Sequence, residues 1–152
     1  MAGHIDLQAV VRAPLELTWR LANSTENDRR HAPDGHQLLA EDPERHSRTL
    51  RVVTPPDDSG RVWEYYVERI LDPENHTAYS RRYGNPDFRY SVALWVYQET
   101  PDGGSLIRTV QDFETTPGSP VDDPTMGEII RRGTEGALRK TVAFVEAQYA
   151  LR

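Results

Sequence analysis

Cysteine is absent from all 152 residues, which excludes disulfides, thiolate zinc sites and cysteine nucleophiles. No apolar run approaches the roughly 18 residues needed to cross a bilayer, so no membrane role is expected. The opening "MAGHIDLQAVV" lacks both a basic stretch and a continuous apolar stretch. A signal peptide is therefore not expected, and a cytoplasmic location is. Positive charge is also in short supply, with 18 Lys plus Arg against 24 Asp plus Glu and a formal net charge of −6. Affinity for a phosphate backbone rests on neutralising that backbone, so nucleic acid is not an expected partner. Gly-rich phosphate loops, nucleophile elbows and Ser/His/Asp sets are missing, and no covalent mechanism is expected. His31 and His36 flank a Pro33-Asp34-Gly35 turn with no firm third ligand nearby, so no metal is expected.

What is present reads as strands and turns followed by one long helix. Hydrophobic residues make up only 37% of the chain, which suggests an interior that is partly polar or partly hollow. "HIDLQAVVRAP" alternates like a strand, and "PLELTWRLANSTE" offers Leu15, Trp19 and Leu21 to one face of a short helix. The polar stretch 23–37 is either a second short helix or a loop. Strand-like runs then follow at 36–42, 47–54, 60–70, 76–84, 88–100 and 105–116, separated by turn chemistry such as "PPDDSG", "DPEN", "NPD" and "PDGG". That spacing is an antiparallel meander with no helix inside it.

From about Pro124 the period lengthens: Met126, Ile130, Gly133, Ala137, Thr141, Phe144 and Gln148 fall on one stripe, widened by Ile129 and Val145. The middle of this helix is small, with Gly133, Gly136 and Ala137, where glycine costs about 0.5–1 kcal/mol relative to alanine. The small residues serve either close helix-on-sheet packing or open space. The economical assembly is an α+β helix-grip fold, a curved antiparallel sheet wrapped around the long helix. Two short helices follow the first strand, and a ligand cavity lies between sheet and helix. The length fits a single domain over 1–152.

"GRVWEYYVERI" (60–70) is unusual as a strand because Arg61, Trp63, Tyr65, Val67 and Arg69 share one side. A guanidinium thus follows a tryptophan along the buried line. Arg69 is either a cavity group or half of a strand-end ion pair with Glu68, Asp72 or Glu74.

The segments "MAGHIDLQAVVRAPLELTW", "DDSGRVWEYYVERI", "DFRYSVALWVY" and "VQDFETTPGSPVDDPTM" resemble the aromatase/cyclases of bacterial aromatic polyketide synthesis. The nearest likeness is to the tetracenomycin and spore-pigment enzymes, members of the START-like (SRPBCC) superfamily. The resemblance covers nearly the whole chain. It implies a cofactor-independent enzyme that directs aldol cyclisation and dehydration of a poly-β-ketone carried on an acyl carrier protein. It also implies that Arg69 anchors or polarises a keto oxygen. Oxyanion charge develops in such a step, and a fixed cationic donor in a low-dielectric cavity stabilises it.

Beside Arg69, the catalytic candidates are Gln111, on the inward face of its strand, and Tyr65. Trp63, Arg82, Ser91, Trp95, Tyr97, Thr109, Phe113, Gly133 and Ala137 are expected to contact substrate. In "RYSVALWVY" the resemblance puts Ser91, Ala93, Trp95 and Tyr97 inside. In "SLIRTVQDF" the inward set is Ile107, Thr109, Gln111 and Phe113.

Several family positions differ here. A tryptophan, a phenylalanine and a tyrosine after the first helix are replaced by Asp28, Ala32 and Gly35. A serine two residues before the arginine is Val67, an inward tryptophan is Thr109, and an asparagine in the last helix is Ala137. Tyr65, Tyr97, His31 and His36 are the candidates to take over proton transfer. The carrier protein would dock on Arg29 and Arg30 or on Arg131 and Arg132. Two other functions stay open: a non-catalytic START-like binder of a hydrophobic or polyphenolic ligand, and a same-fold enzyme acting on a later pathway intermediate.

Overall fold

A computed structural model describes residues 2–152 apart from 32–34, with the backbone alone of His31. The chain runs β1 (Gly3–Val11), α1 (Leu15–Ala22), α2 (Thr25–His31), β2 (His36–Asp42), β3 (Ser47–Val53), β4 (Glu64–Asp72), β5 (Thr77–Tyr83), β6 (Phe88–Glu99), β7 (Ser105–Thr115) and α3 (Asp123–Ala150). All strands join one antiparallel sheet in the order β1-β7-β6-β5-β4-β3-β2. The sheet is thus a meander whose last strand returns to pair with the first. Among the described residues no helix is long and apolar enough to cross a membrane.

The alternation of the strands becomes a two-faced sheet. On the outer face, cross-strand ion pairs join Arg108 to Asp6 and Arg51 to Glu64. On the inner face the buried side chains sort into two main clusters. One gathers Val11, Trp19, Tyr97, Ile107, Leu138 and Val145. The other gathers Ile5, Trp63, Phe113 and Met126. Phe113 lies directly over Gly3, its cross-strand partner, where a Cβ would sit 2.1 Å from the ring. The glycine makes room for the aromatic.

Helix α3 starts where "VDDPT" places it. Asp122 accepts a hydrogen bond from the Thr125 amide at 2.9 Å, and a proline occupies the first turn. The helix packs chiefly on β1, α1 and α2 and touches β7, and so covers one end of the sheet's inner face. The inner faces of β3, β4 and β5 are left facing open space.

Three local expectations shift. The strand beginning at Gly60 starts instead at Glu64. Gly60 adopts φ +79°, and the Asp57 carboxylate accepts the Ser59 and Arg61 amides, closing a turn through 57–61. On α1 the buried residues are Leu17, Thr18, Trp19 and Ala22, whereas Leu15 and Leu21 are half-buried. On α3 the core-facing stripe runs through Met126, Thr134, Leu138, Thr141, Phe144 and Val145, and Gly133 and Ala137 sit beside it. The stretch 23–37 does form a second short helix over 25–31. The Pro33-Asp34-Gly35 turn lies largely outside the described residues.

Candidate active site

The register places inner-face side chains in rows that cross the strands. One row runs Arg48, Arg69, Ser80, Ala93, Gln111 and Ile5. Its neighbour runs Leu50, Val67, Arg82, Ser91, Phe113 and Gly3. Small residues therefore occupy the middle of the first row, Ser80 and Ala93, and Ser91 follows Arg82 in the second, while α3 fills only the end near β1 and β7. The result is a cavity of about 980 Å³ between the sheet, α2 and the middle of α3.

Arg69 stands on the cavity wall with its side chain 17% exposed, and its partner is not a neighbour in the chain. Its Nη1 donates to Oδ2 of Asp28 on α2 at 3.1 Å and lies 3.0 Å from Oδ1 in the same ion pair. Asp28 is itself only 7% exposed. The alternative of a strand-end pair with Glu68, Asp72 or Glu74 is therefore not the one formed; Glu68 and Asp72 lie on the opposite face of β4 from Arg69. The pairing uses a single guanidinium nitrogen. Nη2 and Nε make no hydrogen bond to the described residues, so a fork of donors is left for an oxygen in the cavity.

Arg48 lies opposite Arg69 in register and reaches the carbonyl oxygen of Asn23 at the C-terminal end of α1. Two like charges side by side on a strand pair are thus separated onto an acidic residue and a helix C-terminus, where a cation is favoured.

Tyr97 is buried in the same corner. Loss of solvent pushes its phenol up to about 12, against the pull of the Arg69 charge and a hydrogen bond with Asn23; Asp28 pushes it further up. Tyr97 therefore keeps its proton at neutral pH and can act as a donor but not as a base. The folded state holds this proton more tightly than an unfolded chain, whose tyrosine titrates near 10.0. That contribution, on the order of 3 kcal/mol at about 1.4 kcal/mol per unit, is complete below pH 10 and lost as pH rises through about 12. Urea unfolding between pH 9 and 12 should therefore show a shallower alkaline decline for Tyr97→Phe than for the parent chain.

The remaining expected residues divide by position. Trp63, Tyr65, Arg82, Ser91, Trp95, Gly133 and Ala137 line the cavity with Tyr97. Of the adjacent arginines on β5, Arg82 is the inward one, 5.4 Å above the Tyr65 ring, and Arg81 stacks on Tyr83. Gly133 and Gly136 do not serve close packing. A Cβ at Gly133 would meet nothing within 4 Å and one at Gly136 only the end of Arg139. Their side of the helix borders the cavity.

Gln111, Thr109 and Phe113 face inward but do not reach the cavity, because α3 covers β7. The Gln111 amide donates to Thr109 and to Thr134 of α3, each at 3.3 Å. Its proposed contact with a keto oxygen is therefore corrected to a core contact. His36 lines the cavity, and the side chain of His31 lies outside the described residues. The arginine pairs considered for docking are partly engaged: Arg30 lies 4.8 Å over the Phe144 ring and Arg132 pairs with Asp58.

The sequence reasoning missed Asp28, Asn23, Asn27 and Ser80, all cavity residues. Asp28 had a signal, a charge where the resembled family keeps an aromatic. Ser80 followed from the period-2 alternation of β5 once Arg82 is taken as inward.

The chain is 34% identical over 134 residues to a protein of Streptomyces cyaneus named "Putative polyketide cyclase", covering 88% of each chain. The chain belongs to the polyketide cyclase family. A second relative with that name, from Streptomyces halstedii, is 34% identical over 103 residues, 68% of this chain and 94% of that protein. No protein-family model matches the chain. Among solved structures, the Zhui aromatase/cyclase of Streptomyces sp. R1128 superposes with a TM-score of 0.82 at 16% identity, covering 96% of this chain and 94% of that one. A START superfamily protein of Mycobacterium smegmatis gives 0.70 at 15% identity, covering 97% of each. At such identities these two likenesses concern the fold. The fold of this polyketide cyclase is the START-like helix grip, as the element order implied.

Proposed function

We propose that this polyketide cyclase directs regiospecific aldol cyclisation of a poly-β-ketone, with dehydration to an aromatic ring, on a chain delivered by an acyl carrier protein. The observation that carries the proposal is Arg69, a half-buried guanidinium on the wall of a large cavity whose Nη2 and Nε make no hydrogen bond to the described residues. Those donors suit the oxygen on which charge develops when a ketone is enolised or attacked. Tyr97, Asn23 and Ser80 add neutral hydrogen-bonding groups to the same pocket. Trp63, Tyr65 and Trp95 give it flat walls that limit how a flexible chain can fold, which is how such a site would choose the carbons that join. No protein-bound intermediate is needed, since the net aldol step only rearranges bonds within the substrate.

The test is reconstitution with a minimal polyketide synthase and its carrier protein. Adding the protein should shift the products toward one first-ring regiochemistry. A product profile identical with and without the protein would remove the proposal, and tight product binding in that case would make the chain a ligand-binding member of the fold.

A further inference from the structure

We propose that Asp28 is the catalytic base of this cyclisation, working as one unit with Arg69; the assignment rests on the cyclase function proposed above. Four carboxylates border the cavity among the described residues: Asp28, Asp57, Asp58 and Glu128. Asp57 is consumed by the Ser59 and Arg61 amides, Asp58 is bound to Arg132 at the surface, and Glu128 is exposed. Of these four Asp28 alone is buried, and among the described residues its carboxylate accepts only from Arg69 Nη1, which leaves lone pairs for a proton.

The geometry places a proton acceptor and an oxyanion donor beside each other. A keto oxygen held by Nη2 or Nε of Arg69 puts its neighbouring methylene within reach of the Asp28 carboxylate. Tyr97 stays a protonated phenol, so the acceptor role does not fall to it. Arg69 cannot accept a proton either.

The steps balance without a co-reactant. An Asp28 oxygen removes one proton from a methylene flanked by two carbonyls, and the C–H electrons become an enolate whose oxygen lies on Arg69. The enolate carbon attacks a second carbonyl carbon of the same chain. The new C–C bond forms as that C=O π pair moves to oxygen. The alkoxide takes the proton held on Asp28, which restores the carboxylate. For dehydration, Asp28 removes the remaining proton from the same carbon, and hydroxide leaves and takes up that proton as water.

The test uses the acetoacetyl thioester of N-acetylcysteamine in D₂O, with proton NMR following loss of the C2 protons. The wild-type chain should accelerate exchange over buffer, and Asp28→Asn should lower that acceleration by about a hundredfold. Because Asp28→Asn leaves a half-buried guanidinium without its carboxylate, Asp28→Ala is run in parallel with added formate or nitrate. Both planar anions can pair with Arg69 and raise the melting temperature, but only formate is a useful base. Restoration of exchange by formate and not by nitrate is expected. Equal rescue by nitrate would make Asp28 a positioning residue for Arg69 and overturn the assignment. So would wild-type exchange no faster than buffer, or exchange in Asp28→Asn within about threefold of wild type. If the reconstituted synthase shows no control of ring position while exchange depends on Asp28, the cyclase proposal falls and Asp28 is left as a base for α-proton removal alone. Ring control that survives Asp28→Asn removes the base assignment alone.

Discussion

Arg69→Ala is expected to lower the cyclisation rate by about a hundredfold or more and to cost about 3 kcal/mol of stability. The two losses have different causes. The rate falls because the guanidinium paired to α2 no longer faces the oxygen that gains charge. The stability falls because Asp28, 7% exposed, keeps its charge without a partner. Breaking a buried pair from one side typically costs about 3–5 kcal/mol, and the low end applies because the cavity admits water beside the carboxylate. For a chain of this length that corresponds to roughly 6–12 °C in melting temperature. Arg69→Ala combined with Asp28→Ala should recover most of the lost stability, since no orphan charge remains, and none of the activity. Thermal unfolding of the four members of this cycle, run with the reconstituted assay, separates the roles. A double variant as unstable as Arg69→Ala would show that the pair is not the stabilising unit inferred here.

Trp63→Ala is expected to have the largest effect on stability of any change to the aromatic walls. Trp63 lines the cavity, but it is also buried at 8% exposure against Ile5, Phe113 and Met126, and its indole nitrogen reaches Asp57 at 3.4 Å. Removing it empties part of that cluster and loosens the turn at the cavity mouth. A core tryptophan cut to alanine costs about 3–5 kcal/mol, roughly 6–20 °C here. Trp95 is half-buried and borders space that is already empty, so Trp95→Ala should cost clearly less. Circular dichroism melts of the two variants side by side decide this. Equal shifts would mean that both tryptophans are ordinary core residues.

The sheet was legible because its signal is local. Two-residue alternation in 105–115 fixed which face of β7 is buried, and Ile107, Thr109, Gln111 and Phe113 are all inside. The same alternation could not say what covers that face. Thr109, Gln111 and Phe113 were expected in the cavity, and α3 covers them instead. Its stripe was misjudged in a related way. Gly133 and Ala137 lie on the helical period, but next to Thr134 and Leu138, and a single-face reading cannot divide a helix that has core on one flank and a cavity on the other.

The clearest division between sequence and structure is at the arginine. Local sequence was enough for the element order, the antiparallel meander, the long C-terminal helix and the line of alternate residues that ends in Arg69. Each of these follows from periodicity and turn chemistry over a few residues. Only the tertiary structure decided that Arg69 faces Asp28, 41 positions away, because that contact depends on how α2 settles on the open end of the sheet. It also decided that small side chains from β5 and β6 line up beside the arginine, since cross-strand register exists only once the strands are paired. Periodicity fixes which way a side chain points; packing between distant segments fixes what it meets.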